Sequence, residues 1–213
     1  MKALFLKDWL VMKAQYKFYI LVYLFIGAVG LLSETGYMNA YAMIIMSTIS
    51  TNLLQNDETC RWLPYADVTP LTRKQVVMEK YIINLALVGA TCLFMTIVRF
   101  LAGLIHGNLA QAMTEMASVF CLFVAVGTLM TGLSFPLLFR WGVMKGKMVA
   151  LVLYGVIGGI MAAGYVGLTI HWFIGGAEIN VPVLAVIAAV CLLVVYPVSY
   201  ALAVRWYERR ELV

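Results

Sequence analysis

Charge is what this 213-residue chain has least of. Asp, Glu, Lys and Arg make up 12% of it, about half the share found in a soluble domain. With 64% apolar residues, a soluble fold of this size could not hide its apolar surface, and a disordered chain needs the opposite composition. No short period recurs, which excludes a repeat architecture. Cysteine is too sparse for a disulfide scaffold. Cys60, Cys92, Cys121 and Cys191 mostly fall inside apolar stretches, where a thiol behaves as a small apolar side chain. The two histidines, His106 and His171, are far apart, short of the three or four converging ligands a metal needs. No G-x-x-x-x-G-K-[ST] string occurs; the nearest, GVMKGKM at Gly142 to Met148, has three residues between its glycines and Met after its Lys, so it makes no phosphate loop. No Ser/His/Asp set or paired intramembrane carboxylates support hydrolysis, and no mid-membrane acid supports an ion-coupled carrier.

What remains are long uncharged stretches at 18–33, 35–56, 81–98, 116–139, 148–177 and 179–204. Each is close to the roughly 20 apolar residues that a bilayer span needs. The pattern predicts an all-α membrane protein with six transmembrane helices near 18–33, 37–55, 82–103, 117–138, 148–171 and 181–204. Lys13 and Lys17 can snorkel, so the first helix can begin earlier. Fourteen of the fifteen Lys and Arg residues fall in four places: before helix 1, between helices 2 and 3, between helices 4 and 5, and in the tail. By the positive-inside rule both termini are cytoplasmic. Arg99 alone lies on the other side, as an interfacial snorkelling cation or an outer-pathway substrate contact. Basic residues split among four membrane-flanking segments give no nucleic-acid footprint.

Residues 1–17 carry Phe5, Trp9, Met12 and Tyr16 in one helical stripe, with Lys2, Lys13 and Lys17 off it. This predicts an amphipathic interfacial helix turning into helix 1; the alternative is a basic topogenic flank. The 56–81 segment is long for a connection between two spans. Asp57 to Leu63 can extend helix 2, with Asp57 and Arg61 paired at i, i+4 and Pro64 as the stop. Thr69-Pro70 can open the next helix, or Thr72 and Gln75 can form a capping box one turn later. Trp62, Tyr65 and the cations then form a cytoplasmic docking surface.

Glu58, Trp62, Pro70, Arg73, Lys80 and Tyr81 in this segment, with LKDW near the N-terminus and YERREL in the tail, resemble the membrane subunits of ABC-2 type transporters. Within that family the chain is most similar to the small permeases of bacterial peptide exporters, such as the phenol-soluble modulin exporter. The resemblance implies a non-catalytic permease in the bacterial cytoplasmic membrane, working as a homodimer or heterodimer. It implies no cofactor on this chain, with ATP and Mg held by a separate ATPase subunit. The 2–3 loop becomes the coupling element, with Glu58, Arg61, Trp62, Pro70, Arg73, Lys74 and Lys80 as ATPase-coupling residues.

Three intramembrane features bear on transport. Thr48, Asn52 and Gln55 share one face of helix 2, which lines a substrate cavity or supplies interhelical hydrogen bonds. Gly155, Gly159, Ala163 and Gly167 form a small-residue stripe on helix 5, a dimer seam or packing within one subunit. Pro136 and Pro197 allow bends. Thirteen methionines and 13% aromatics suit an adaptable apolar wall, which favours an amphipathic or hydrophobic peptide as substrate. The rivals are a membrane-embedded immunity or peptide-binding protein that does not pump, and a secondary transporter.

Overall fold

The computed structural model describes residues 2–32, 39–67, 72–152, 154–156 and 181–209, and these are helical apart from short turns. The helices are α1 (Lys2–Leu32), α2 (Asn39–Thr59), α3 (Trp62–Asp67), α4 (Arg73–Ile105) and α5 (Leu109–Trp141). A helix α6 follows over 143–152 and 154–156. The last segment is α7 (Val181–Val190), a π-helical turn (Cys191–Val195) and α8 (Tyr196–Glu208) in continuous succession. α4 packs chiefly on α5, α5 packs on α7 and α8, and α1 and α2 pack on α4.

In α4 an uncharged run meets a well-capped start. α4 opens with a capping box: Gln75 N–H donates to Thr72 Oγ1 (3.4 Å) and Thr72 N–H to Gln75 Oε1 (3.2 Å). The box satisfies the Thr72 N–H and adds a second acceptor to the Gln75 N–H, which also reaches Thr72 O at 2.9 Å. α4 ends at His106, and Gly107 at φ +73° turns the chain back into α5. The hairpin closes tightly, because a Cβ on Gly103 would lie 2.4 Å from Ala112 Cβ. At 33 residues, α4 is about 50 Å long, against roughly 30 Å of hydrocarbon; its first turns therefore project beyond the span expected at 82–103. Pro197 cannot donate to Leu193 O in α-helical register, and the π turn sits immediately before it, with Tyr196 N–H reaching Cys191 O.

Among the described residues, three helices are long and apolar enough to cross a membrane: Arg73–Ile105, Phe123–Trp141 within α5, and Ala185–Glu208. A fourth arises if α1, bent by 66° between Leu4–Ala14 and Lys17–Leu32, counts as one span. α2 does not pass, because its C-terminal half is too polar. The predicted span at 148–171 lies mostly outside the described residues, as do Gly159, Ala163 and Gly167. Gly155 is exposed with open space around it.

The connection after α2 differs from expectation. α2 stops at Thr59, before Arg61, which takes φ 52°. A residue outside the helix cannot be the i+4 partner of Asp57. Pro64 lies within α3 rather than ending a helix, and it sits in the first turn, where a missing N–H costs nothing. Thr69-Pro70 lies outside the described residues, and of the two proposed helix openings the Thr72 box is present. Arg99 is 8% exposed, buried rather than snorkelling at an interface.

Candidate functional site at the charged end of the bundle

The start of α1, the end of α2 and the start of α4 meet around a buried set of charges. Lys80 Nζ lies 2.7 Å from Asp57 Oδ2 and bonds Asp8. Lys7 Nζ lies 2.5 Å from Asp57 Oδ1 and 3.0 Å from Asp8 Oδ1. Asp8, Asp57, Glu79 and Lys80 are all 4% exposed or less. Each charge continues a buried helical face: Leu4 and Asp8 on α1; Leu53, Leu54 and Asp57 on α2; Val76, Val77, Lys80 and Tyr81 on α4. Lys7 also stands 4.7 Å over the Trp62 ring, which contacts Tyr65 at 5.3 Å. Trp62 is half-buried, and among the described residues its indole N–H has no acceptor.

The other residues singled out in the 56–81 segment are placed as follows. Arg73 donates to Tyr207 O (3.0 Å) and Glu208 O (3.2 Å) and lies over the Tyr207 ring. It therefore holds the C-terminus of α8, where a cation also meets the helix dipole. Lys74 is exposed, 4.0 Å from Glu208. Glu58 accepts the Val143 N–H at 2.5 Å, an anionic cap on the first turn of α6. Arg61, Cys60 and Tyr65 are exposed. Lys80 points inward, and Pro70 lies outside the described residues.

A polar network runs inward from the charged set. Asn84, fully buried, accepts from Ser50 Oγ (2.8 Å) and donates to Thr131 Oγ1 (2.9 Å) and Tyr196 OH (3.1 Å). It ties α2, α4, α5 and α8 together. Tyr196 donates to Tyr81 O, and the Tyr81 hydroxyl meets Ser199 Oγ at 2.6 Å. On α2, Asn52 and Gln55 are half-buried and both oxygens receive Lys147 Nζ, at 3.0 Å for Asn52. Asn52 also donates to Tyr19 OH (3.2 Å). The Thr48 side chain lies outside the described residues.

A family model described as ABC-2 family transporter protein matches residues 3–208. The chain belongs to the ABC-2 family. No curated protein and no solved structure matches it. Members of the ABC-2 family are membrane components of transporters, and permeases of this kind normally work with an ATPase subunit.

Sequence reasoning about this ABC-2 chain missed the roles of Lys7, Asp8, Asp57, Glu79, Asn84 and Lys147. The available signal was their position on otherwise apolar buried faces. Glu79 is the odd charge, since three carboxylates face two lysines. Among the described residues neither of its oxygens receives a donor, and Lys80 Nζ is 4.0 Å away. Burial pushes the Glu79 carboxyl from 4.5 up to about 7; Lys80 opposes the rise and Asp8 adds to it. A carboxyl raised in the fold contributes stability below the unfolded value and loses it as pH climbs through the folded one. Glu79→Gln, which mimics the protonated acid, is therefore expected to raise the melting temperature in detergent at pH 8 and to change it little near pH 4.5. The ceiling is about 3 kcal/mol. A melting difference independent of pH would show that Glu79 does not titrate there.

Proposed function

We propose that this ABC-2 chain is the permease subunit of an ATP-driven exporter in the bacterial cytoplasmic membrane. In this reading the chain crosses the membrane six times, with both termini cytoplasmic and residues 1–17 lying in the interface, which the charge pattern supports. The carrying observation is the buried charge clamp, which fixes α1, α2 and α4 to one another beside the exposed turn of Cys60, Arg61 and Tyr65. A soluble ATPase pressing on that turn, on Lys74 and on the neighbouring 57–80 surface moves three helices at once. Glu58 and Arg73 extend the same linkage to α6 and α8. The subunits pair, as a homodimer, because six helices enclose little space for a peptide-sized path; the stripe at Gly155, Gly159, Ala163 and Gly167 is the close-packing seam. The Met- and aromatic-rich wall favours an amphipathic peptide or a related antimicrobial compound as cargo, approaching along the face of Thr48, Asn52 and Gln55.

The test is co-purification followed by substrate-stimulated ATP hydrolysis. Arg61→Glu with Lys74→Glu changes two exposed side chains outside the clamp's ion pairs, so insertion and melting should stay within about 0.5 kcal/mol of the native protein. ATPase capture and stimulated hydrolysis should fall at least tenfold. Native-level coupling in this variant would refute the docking surface. Transport without any associated ATPase would favour a secondary transporter, and peptide retention without transport an immunity protein.

A further inference from the structure

At the bend of α1 an apolar groove of about 390 Å³ lies between α1, α2 and α4. Tyr19, Ile20, Leu24, Ile49, Leu87 and Ala90 are among its walls, with Met12 at the end before the bend and Phe94 on α4. Its polar atoms are spent within the protein: Tyr23 OH meets Thr91 Oγ1 at 3.0 Å, and Tyr19 OH accepts from Asn52. The interior therefore offers hydrocarbon. The surrounding face of α1 is exposed, with Phe18 at 68%, Leu21 at 66% and Phe25 at 67%. In a membrane protein that face meets acyl chains, and a void beside them forfeits dispersion contacts unless a chain fills it. Two cations mark one end. Lys17, Ile20 and Leu24 share a helical face at i, i+3 and i+7, which places Lys17 one turn before the groove wall. Lys13 lies on the other side of the bend, adjacent in the chain to Met12 of the groove wall. Both lysines are exposed.

We propose that this groove binds one anionic phospholipid of the leaflet at the charged end, with an acyl chain between α1 and α4 and the phosphate on Lys13 and Lys17. A neutral lipid fills the hydrocarbon equally well but leaves the lysine pair without its counter-charge, which two such residues near an anionic headgroup turn into a preference of at least about tenfold. A two-fold mate seated on this patch would add its own Lys13 and Lys17 to the same contact. A bound lipid wedges the elbow of α1, and so steadies the segment that carries Lys7 and Asp8 into the clamp.

The full chain, purified and delipidated in detergent, is titrated with phosphatidylglycerol or phosphatidylcholine of identical chains and read by native mass spectrometry. One phosphatidylglycerol should be retained at least tenfold more tightly than phosphatidylcholine. Lys13→Gln with Lys17→Gln should erase that preference while leaving phosphatidylcholine retention unchanged. Ala90→Phe, at an exposed position, should fill the groove and cut retention of both lipids at least tenfold; Ile20→Trp does the same from the α1 side if Ala90→Phe does not fold. Retention unaffected by either filling variant overturns the site, as does a headgroup preference that survives loss of both lysines. A filling variant that shifts the monomer–dimer ratio and leaves lipid retention intact assigns the groove to a second copy and overturns the proposal.

Discussion

Replacing Lys80 by Met should be among the most damaging single changes in this protein. The substitution keeps the volume and removes the charge, leaving Asp8 and Asp57 with Lys7 alone. Breaking a buried ion pair from one side costs about 3–5 kcal/mol, because the partner charge stays behind in a poor solvent. An exposed pair would cost at most about 1 kcal/mol, and burial decides between the two figures: the Lys80 side chain is 2% exposed and that of Asp8 1%. The expected readout is a loss of folded protein in the membrane, or a melting temperature lower by about 6–20 degrees if it accumulates.

The companion variant is Lys80→Met with Asp8→Leu. It removes one charge of each sign and leaves the Lys7–Asp57 pair at 2.5 Å intact. Since exchanging a buried pair for apolar groups is often neutral, the double variant should recover most of the stability lost by the single one, a coupling of 2 kcal/mol or more on the order expected for contacting charges. A single variant costing less than about 1 kcal/mol, or a double variant no better than the single, would show that the cluster is not a desolvated unit. The double variant also separates roles. If α1 is driven through the clamp, it should fold yet transport poorly; native transport would reduce the clamp to a structural joint.

The legible part of this fold is the part that charges delimit. α4, the Phe123–Trp141 part of α5 and the 181–208 helix lie where the spans predicted at 82–103, 117–138 and 181–204 place them, because a bilayer span announces itself locally. α2 was harder. Ser50, Thr51, Asn52 and Gln55 lower its hydropathy below that of a span, and the structure accounts for Ser50 and Asn52 by bonds to Asn84 and Tyr19 on other helices. The clamp was not legible as such. Asp57 has Arg61 at helical spacing, so a local pair is the economical reading of the sequence. The real partners are 50 residues earlier in the chain and 23 later, and no periodicity links Lys7, Asp57 and Lys80 across three helices. The Thr72 box, by contrast, was readable because both of its hydrogen bonds lie within four residues.

Tyr81 offers the second large effect, and it separates packing from hydrogen bonding. Its ring sits 4% exposed between Phe135 (5.1 Å), Tyr196 (5.1 Å) and Tyr200 (5.5 Å), so it joins α4 to α5 and α8. Truncating a buried aromatic to Ala costs about 3–5 kcal/mol. At a bundle inside lipid the transfer share of that cost shrinks, since acyl chains are as apolar as the core, while the cavity share remains; Tyr81→Ala should therefore fall near 3 kcal/mol. The hydroxyl is worth less. Ser199 Oγ, its partner at 2.6 Å, also donates to Gly132 O at 2.5 Å, so Tyr81→Phe strands no donor on Ser199. Interhelical hydrogen bonds inside membranes average about 0.6 kcal/mol, and Tyr81→Phe should cost no more than about 1. Melting curves of the two variants in the same detergent decide the matter. A Phe variant as unstable as the Ala variant would mean that the hydroxyl, rather than the ring, holds α4 against α8.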